Sequence, residues 1–287
     1  MVNTYRELLA RGEKNLTKAG VEDAKLNVAE LLAKAMNADC RSVDFSVSLD
    51  DKAEQTVCEC FDEMIKRRID GEPLQYLIGE WEFYGLTLKV GEGALIPRQD
   101  TELLVDIILD KYRNSDSLTA VDLCSGTGCI GIALEKNIRC DRVFCVEKSE
   151  KAAAYLKENL QLNGSKAELI IGDVFDESTL EKIPTSDIIA CNPPYLTKTD
   201  MENLQKEVTF EPAEALFGGE DGLDFYRGIT RIWKSKLKNG GMLIYEIGMG
   251  QEDEVMRILI QHGFENVRCR KDFCGIDRCV YGFYRKN

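Results

Sequence analysis

At 287 residues the chain is long enough for one large domain and a small one, and its 44% hydrophobic and 30% charged residues exclude a disordered or fibrous protein. No apolar run approaches the roughly 18 residues of a membrane span, and the opening MVNTYRELLARGEK lacks a signal peptide's apolar stretch, so a cytoplasmic location is expected. The formal net charge of -13 disfavours direct nucleic-acid binding, which selects basic surfaces, and suits a basic protein partner.

The eleven cysteines do not read as a disulfide framework, because an odd count without a secretory leader fits reduced thiols. Cys124, Cys145 and Cys191 lie in or beside apolar strand-like runs, where free cysteine packs as a small hydrophobe. Cys58-x-Cys60 and the series Cys269, Cys274, Cys279 lack zinc-ligand spacing, and His262 is the single histidine, so no metal site is expected.

In chain order, the first ~70 residues carry helical stripes, clearest in VEDAKLNVAELLAKAM, where Val21, Ala24, Val28, Leu31, Leu32 and Ala35 share one face. The charges of FDEMIKRRID, Arg67 and Arg68 included, read as a solvated face. Gly71-Glu72-Pro73 punctuates this bundle, and EWEFYGLTLKV divides about Gly85 as a hairpin. From about residue 100 strands alternate with helices: a helix near 101–113, strand TAVDLC, a helix from near Gly128, strand RVFCVE, helix 150–162, strands AELII and DIIACN, helix 224–238, strand GMLIYEIG and helix 251–262. Such alternation implies a parallel sheet covered by helices on both faces. His262, followed by Gly263, reads as the end of the last helix. The closing strands FENVRCR and RCVYGFYR are separated by too few residues for a parallel return, so an antiparallel hairpin should complete a mixed sheet.

Three successive strand ends carry polar chemistry. Gly126, Gly128 and Gly131 form G-x-G-x-x-G after the first strand, which lets a backbone turn approach a ligand closely. Glu147 ends the second strand, 19 residues beyond Gly128, where a carboxylate can hold two ribose hydroxyls. Asp173 follows the third strand, and together these suggest an adenosine site serving either a dinucleotide or S-adenosylmethionine. The fourth strand stops at Asn192-Pro193-Pro194-Tyr195. The Asn192 side-chain oxygen and the Pro193 carbonyl can accept both N–H groups of a planar –NH2, the prolines stiffen those acceptors, and Tyr195 can stack on the flat group. That arrangement suits methyl transfer to an amide or amino nitrogen, whose developing positive charge the acceptors stabilise.

With GEPLQYLIGEWEFYG, LIPRQDTELLV, DLCSGTGCIGIAL, CNPPYL, EPAEALFGGEDGLDFYR and YEIGMGQ the chain resembles the release factor glutamine methyltransferases, the HemK/PrmC family, over nearly its full length. The resemblance implies an α/β fold, a seven-stranded Rossmann-like class I methyltransferase domain with an N-terminal helical bundle. The expected division is a substrate-recognition domain at 1–73, a hairpin linker at 74–98 and an S-adenosylmethionine-dependent domain at 99–287. It implies S-adenosyl-L-methionine as methyl donor and the glutamine of the Gly-Gly-Gln motif in class I peptide chain release factors as acceptor. By position, Cys124, Ser125, Gly126, Thr127 and Gly128 should surround the methionine part of the donor, Glu147 its ribose, and Asp173 and Val174 its adenine. Asn192, Pro193, Pro194 and Tyr195 should hold the target amide, Asn192 also lying beside the donor. Glu147 stands where many relatives have aspartate, and Gln99 where the segment after Arg98 often has proline.

Two other readings use the same residues. A nucleic-acid amino methyltransferase of the adenine N6 type shares Asn-Pro-Pro-Tyr, but the acidic balance and the lack of an inserted target-recognition region disfavour it. An inactive adenosylmethionine-binding scaffold is disfavoured by the intact Gly loop beside Asn192–Tyr195.

Overall fold

The computed structural model describes residues 4–36 and 48–286, which divide into two compact units. The smaller comprises the described residues through Glu80 together with Gln205–Phe210. Its helices are α1 (Tyr5–Lys18), α2 (Ala24–Ala35), α3 (Gln55–Ile69) and the short α4 (Leu74–Ile78). A capping box starts α1, in which the Thr4 hydroxyl accepts from the Glu7 N–H and the Glu7 carboxylate accepts from the Thr4 N–H. Leu8 and Leu16 of α1, Leu31 of α2 and Phe61 of α3 are sealed in one core.

Arg68 departs from the solvated face expected of it, being only 4% exposed. Its guanidinium donates to Asn27 Oδ1 at 2.7 Å and to the Glu72 carbonyl at 3.1 Å, and it pairs with Glu207. A planar fork with five donors can join three chain segments at once, so burial of this cation is matched by partners. Arg67, one position along the helix, stays at the surface on Glu72.

The larger unit, from Trp81, opens on a hairpin of β1 (Glu80–Phe83), whose first residue closes the smaller unit, and β2 (Leu86–Lys89). Tyr84 and Gly85 turn it with φ of 51° and 74°, the two left-handed residues of a type I′ turn. The sheet follows: α5 (Gln99–Tyr112), β3 (Leu118–Leu123), α6 (Cys129–Asn137), β4 (Cys140–Glu147), α7 (Glu150–Leu162), β5 (Glu168–Ile171), α8 (Glu177–Glu181), β6 (Ser186–Cys191), α9 (Lys198–Glu202), α10 (Asp224–Trp233), β7 (Leu237–Glu246), α11 (Glu252–Gln261), β8 (Phe264–Lys271) and β9 (Asp277–Tyr284). The seven strands lie in the order β5-β4-β3-β6-β7-β9-β8, parallel except for β9, which is antiparallel to both neighbours. The mixed sheet and its terminal hairpin are as the sequence implies.

Strict alternation sorts the strands onto two cores. Ala120, Val143, Cys145, Ile188, Ala190 and Ile244 face one, and Val121, Phe144, Val146, Ile189, Cys191 and Tyr245 the other. The helix expected over 224–238 ends at Trp233, followed by a single 3-10 turn over Lys234–Lys236. Its lysine-rich tail favours helix, but Leu237 is fully buried and pairs with Ser186, so the sheet takes it. His262 caps α11, its Nδ1 lying 2.9 Å from the Ile258 carbonyl, and Gly263 follows at φ 88°. All ten described cysteines are free, and no helix among the described residues is long and apolar enough to cross a membrane.

Candidate functional site

The strand order reverses between β3 and β6, and a crevice forms at the carboxyl ends of the strands beside such a switch point. Here it is a cavity of about 660 Å³, lined wholly by residues of the larger unit. That volume suits a ligand of cofactor size.

The loop after β3 supplies Cys124, Ser125, Gly126 and Thr127 to the lining. Its backbone is bent by Cys124 at φ 56° and Gly126 at φ 55°, and a Cβ on Gly126 would meet open space, the cradle expected of a loop that receives a ligand. Gly128 does not line the cavity; a Cβ there would stand 2.9 Å from Leu156 Cγ, so its glycine serves close packing against α7. At the end of β4, Glu147 is 9% exposed and accepts from the N–H of Gly126 and of Ser149, both at 2.7 Å. Burial raises its pKa, and those backbone donors oppose the rise. Each carboxylate oxygen keeps a lone pair for a diol. Asp173 accepts from the Phe175 N–H at 2.9 Å and pairs with Lys148 at 2.8 Å. Val174, Phe175 and Phe225 add an apolar wall, the two rings tilted with centroids 5.2 Å apart. Cradle, diol-ready acid and apolar wall fit the methionine, ribose and adenine parts of S-adenosylmethionine.

Asn192 and Pro194 also line the cavity, whereas Pro193 and Tyr195 do not. The Asn192 amide nitrogen donates to Thr101 Oγ1 at 3.3 Å, and that hydroxyl donates to Glu246 Oε2 at 2.5 Å. Tyr195 is held from behind: Gln251 Nε2 donates to its carbonyl at 3.0 Å, while Gln251 Oε1 accepts from the Gly248 N–H and the Tyr226 hydroxyl. Beyond it, Leu196 exchanges backbone hydrogen bonds with Leu216 and Gly218 and so ties Pro212–Phe217 to the site. Arg98 lines the cavity and pairs with the buried Glu211, which also accepts from the Ile96 N–H at 2.9 Å. Thr101, Glu246 and Gln251 escaped the sequence reasoning, although all three lie inside the quoted stretches LIPRQDTELLV and YEIGMGQ. Of the three, only Glu246, set between Tyr245 and Ile247, carried a signal, a polar side chain among apolar neighbours.

One buried acid makes a pH prediction. Asp122 is fully buried on β3, accepts from the Gly131 N–H at 2.9 Å, and is pushed up by burial to about 7. Between the ordinary carboxylate value of about 4 and this raised one, the folded state binds more protons than the unfolded one. Its contribution therefore makes stability fall as pH rises through that window. Asp122→Asn keeps an acceptor for Gly131 and removes the titration, so urea unfolding at pH 5 and pH 8 should show a smaller alkaline loss than in wild type. Equal losses in both proteins would show that Asp122 does not titrate there.

Comparison with known proteins gives the family. The model of the PrmC N-terminal domain matches residues 7–79, and that of the methyltransferase small domain matches residues 99–220. The release factor glutamine methyltransferase of Geobacter sulfurreducens is 36% identical over 280 residues, 97% of this chain and 96% of that one. Its counterpart from Thermodesulfovibrio yellowstonii is 43% identical over 221 residues, 76% of this chain and 78% of the relative. Among solved structures, a methyltransferase from Pyrococcus furiosus superposes with a TM-score of 0.54 at 18% identity, covering 71% of this chain and 91% of that one, which is likeness of fold.

Proposed function

The chain belongs to the release factor glutamine methyltransferase family, and we propose that it methylates the side-chain amide nitrogen of the glutamine in the Gly-Gly-Gln motif of class I peptide chain release factors. The observation that carries this reading is the convergence of Asn192, Glu147 and the Gly126 cradle on one cavity. Bound there, S-adenosyl-L-methionine supplies an electrophilic methyl on a sulfonium. Cys124–Thr127 would hold its methionine part, Glu147 would accept from the ribose hydroxyls, and Asp173 and Val174 would flank the adenine.

The remaining work belongs to the strand end. Asn192 Oδ1 accepts one N–H of the target amide, and the Pro193 carbonyl, on the peptide bond it shares with the cavity-lining Pro194, accepts the other, turning the nitrogen lone pair toward the methyl. As the N–C bond forms, the methyl–sulfur bond breaks and leaves a neutral thioether; positive charge grows on nitrogen, the two acceptors stabilise it more than they stabilise the ground state, and one N–H proton is then released to solvent. No side-chain nucleophile is required, since alignment and charge stabilisation carry the step. Tyr195 stands behind the cavity lining and fixes the turn through Gln251.

The test is incubation with isotopically labelled S-adenosylmethionine and a purified release factor, followed by mass spectrometry of the modified peptide. One methyl on the side-chain nitrogen of the Gly-Gly-Gln glutamine is expected; a methyl found on adenine of added nucleic acid, with none on the factor, refutes the proposal. Glu147→Ala should weaken donor binding by about 1–3 kcal/mol, the scale for losing hydrogen bonds to a charged group. Unchanged affinity by calorimetry would remove Glu147 from the site.

A further inference from the structure

Asn192 is an amide with an acceptor end and a donor end, and the two differ little in shape. Only the acceptor end is useful to a substrate –NH2, because the donor end would set N–H against N–H. Something must choose between them. The structure offers one candidate: a chain of two buried polar side chains leading from Asn192, Thr101 on α5, which also borders the cavity, and Glu246 at the end of β7, which are 1% and 2% exposed.

We propose that Thr101 and Glu246 are positioning residues for the transfer, forcing Asn192 to present its side-chain oxygen to the substrate amide. A threonine hydroxyl has one hydrogen and two lone pairs. Thr101 gives that hydrogen to Glu246 Oε2 across 2.5 Å, the length of a charge-assisted O–H···O contact. Its remaining capacity toward Asn192 is to accept, and it meets the Asn192 nitrogen at 3.3 Å. With the NH2 end turned to Thr101, the opposite end of the planar group, Oδ1, is the one left for the cavity. The inference rests on the reading of Asn192 as the amide acceptor given above.

Burying a carboxylate costs stability, and Glu246 at 2% exposure bears that cost beside Asn192's partner Thr101. Burial pushes Glu246 up to about 7; its bond from Thr101 lowers it, Asp100 raises it, and Arg278 and Arg98 lower it. The hydroxyls of Tyr195 and Tyr226 also feel its charge, as do the thiols of Cys279, Cys191 and Cys129. All five have raised pKa values, first of all by burial, and stay protonated through neutral pH, so none competes with Glu246 in that range. Once protonated, Glu246 can donate to Thr101 instead. The Thr101 hydrogen is then free to turn to Asn192 Oδ1, and the amide flips. Turnover should therefore fall as pH drops below about 7.

Three variants test this in the full chain, with a release factor as substrate. Thr101→Val removes the acceptor while keeping the shape, and kcat should drop about 10- to 100-fold, the range for losing an orienting partner behind a functional group. Donor affinity by calorimetry should stay at the wild-type value. Thr101→Ser restores the hydroxyl and should recover turnover. Glu246→Gln is the neutral isostere of the protonated acid, can donate to Thr101 and cannot ionise, so its turnover should stay near the low wild-type acid level at every pH and the acid limb of the kcat profile should vanish. Wild-type turnover in Thr101→Val, or an unchanged acid limb in Glu246→Gln, would overturn the proposal. If Asn192→Ala is impaired while Thr101→Val is not, the relay alone is wrong; if Asn192→Ala is fully active, the acceptor reading falls with it.

Discussion

Asn192→Ala is expected to lower kcat by about 100-fold or more, the scale for removing one group that hydrogen-bonds the developing charge. The side chain ends a strand whose last residues are sealed in the sheet, with Ala190 and Cys191 fully buried, so truncation leaves the backbone where it is. Donor affinity should change little, because Glu147 and the Gly126 loop lie on other strand ends. Asn192→Asp should fall between wild type and alanine. It still offers an acceptor to the substrate, but it cannot donate to Thr101 and brings a second carboxylate toward Glu246. Single-turnover rates at saturating donor separate these cases, and a wild-type rate in Asn192→Ala would eliminate the amide-clamp chemistry.

How much of this was legible in the sequence depends on the range over which a signal acts. Glu147 ends a strand, and the Gly126 loop, Asp173 and Asn192 come within three residues of one, so the switch from apolar run to polar residue marks them locally. The partners that orient Asn192 are non-local: Thr101 lies 91 residues from it and 145 from Glu246. No periodicity connects such positions, and only closure of the sheet brings α5 against β7. Arg68 shows the same limit, since its partners Asn27 and Glu207 are 41 and 139 residues away. Charge alone suggests solvent, and the chain overrides it by gathering enough acceptors around one guanidinium. At Gly128 the motif suggests ligand contact, while the structure adds a packing reason for glycine that the motif does not carry, since the space beside its Cα belongs to Leu156.

The second large effect is expected at Gly222, which the Asn-Pro-Pro-Tyr segment uses as a stop. Gly222 sits at φ 73°, and a Cβ on it would stand 2.3 Å from the Tyr195 carbonyl oxygen and 2.7 Å from Gln251 Nε2. Gln251 bridges these same groups, donating to the Tyr195 and Gly222 carbonyls. An added methyl must therefore push on backbone at the very turn that positions Asn192 and Pro193; the Gln251 end can give way, but the nearer Tyr195 carbonyl cannot. Misplacement of about 1 Å at a reacting centre can cost 100-fold, so Gly222→Ala should lose about that much in kcat. The left-handed backbone adds its own cost of about 1–2 kcal/mol in stability. Gly250 separates the two contributions: it has φ 81°, but a Cβ there would meet nothing within 4 Å. Gly250→Ala should thus show a comparable fall in unfolding free energy with turnover largely kept. Equal losses of activity in the two variants would mean that backbone strain, and not pressure on the Tyr195 carbonyl, sets the effect.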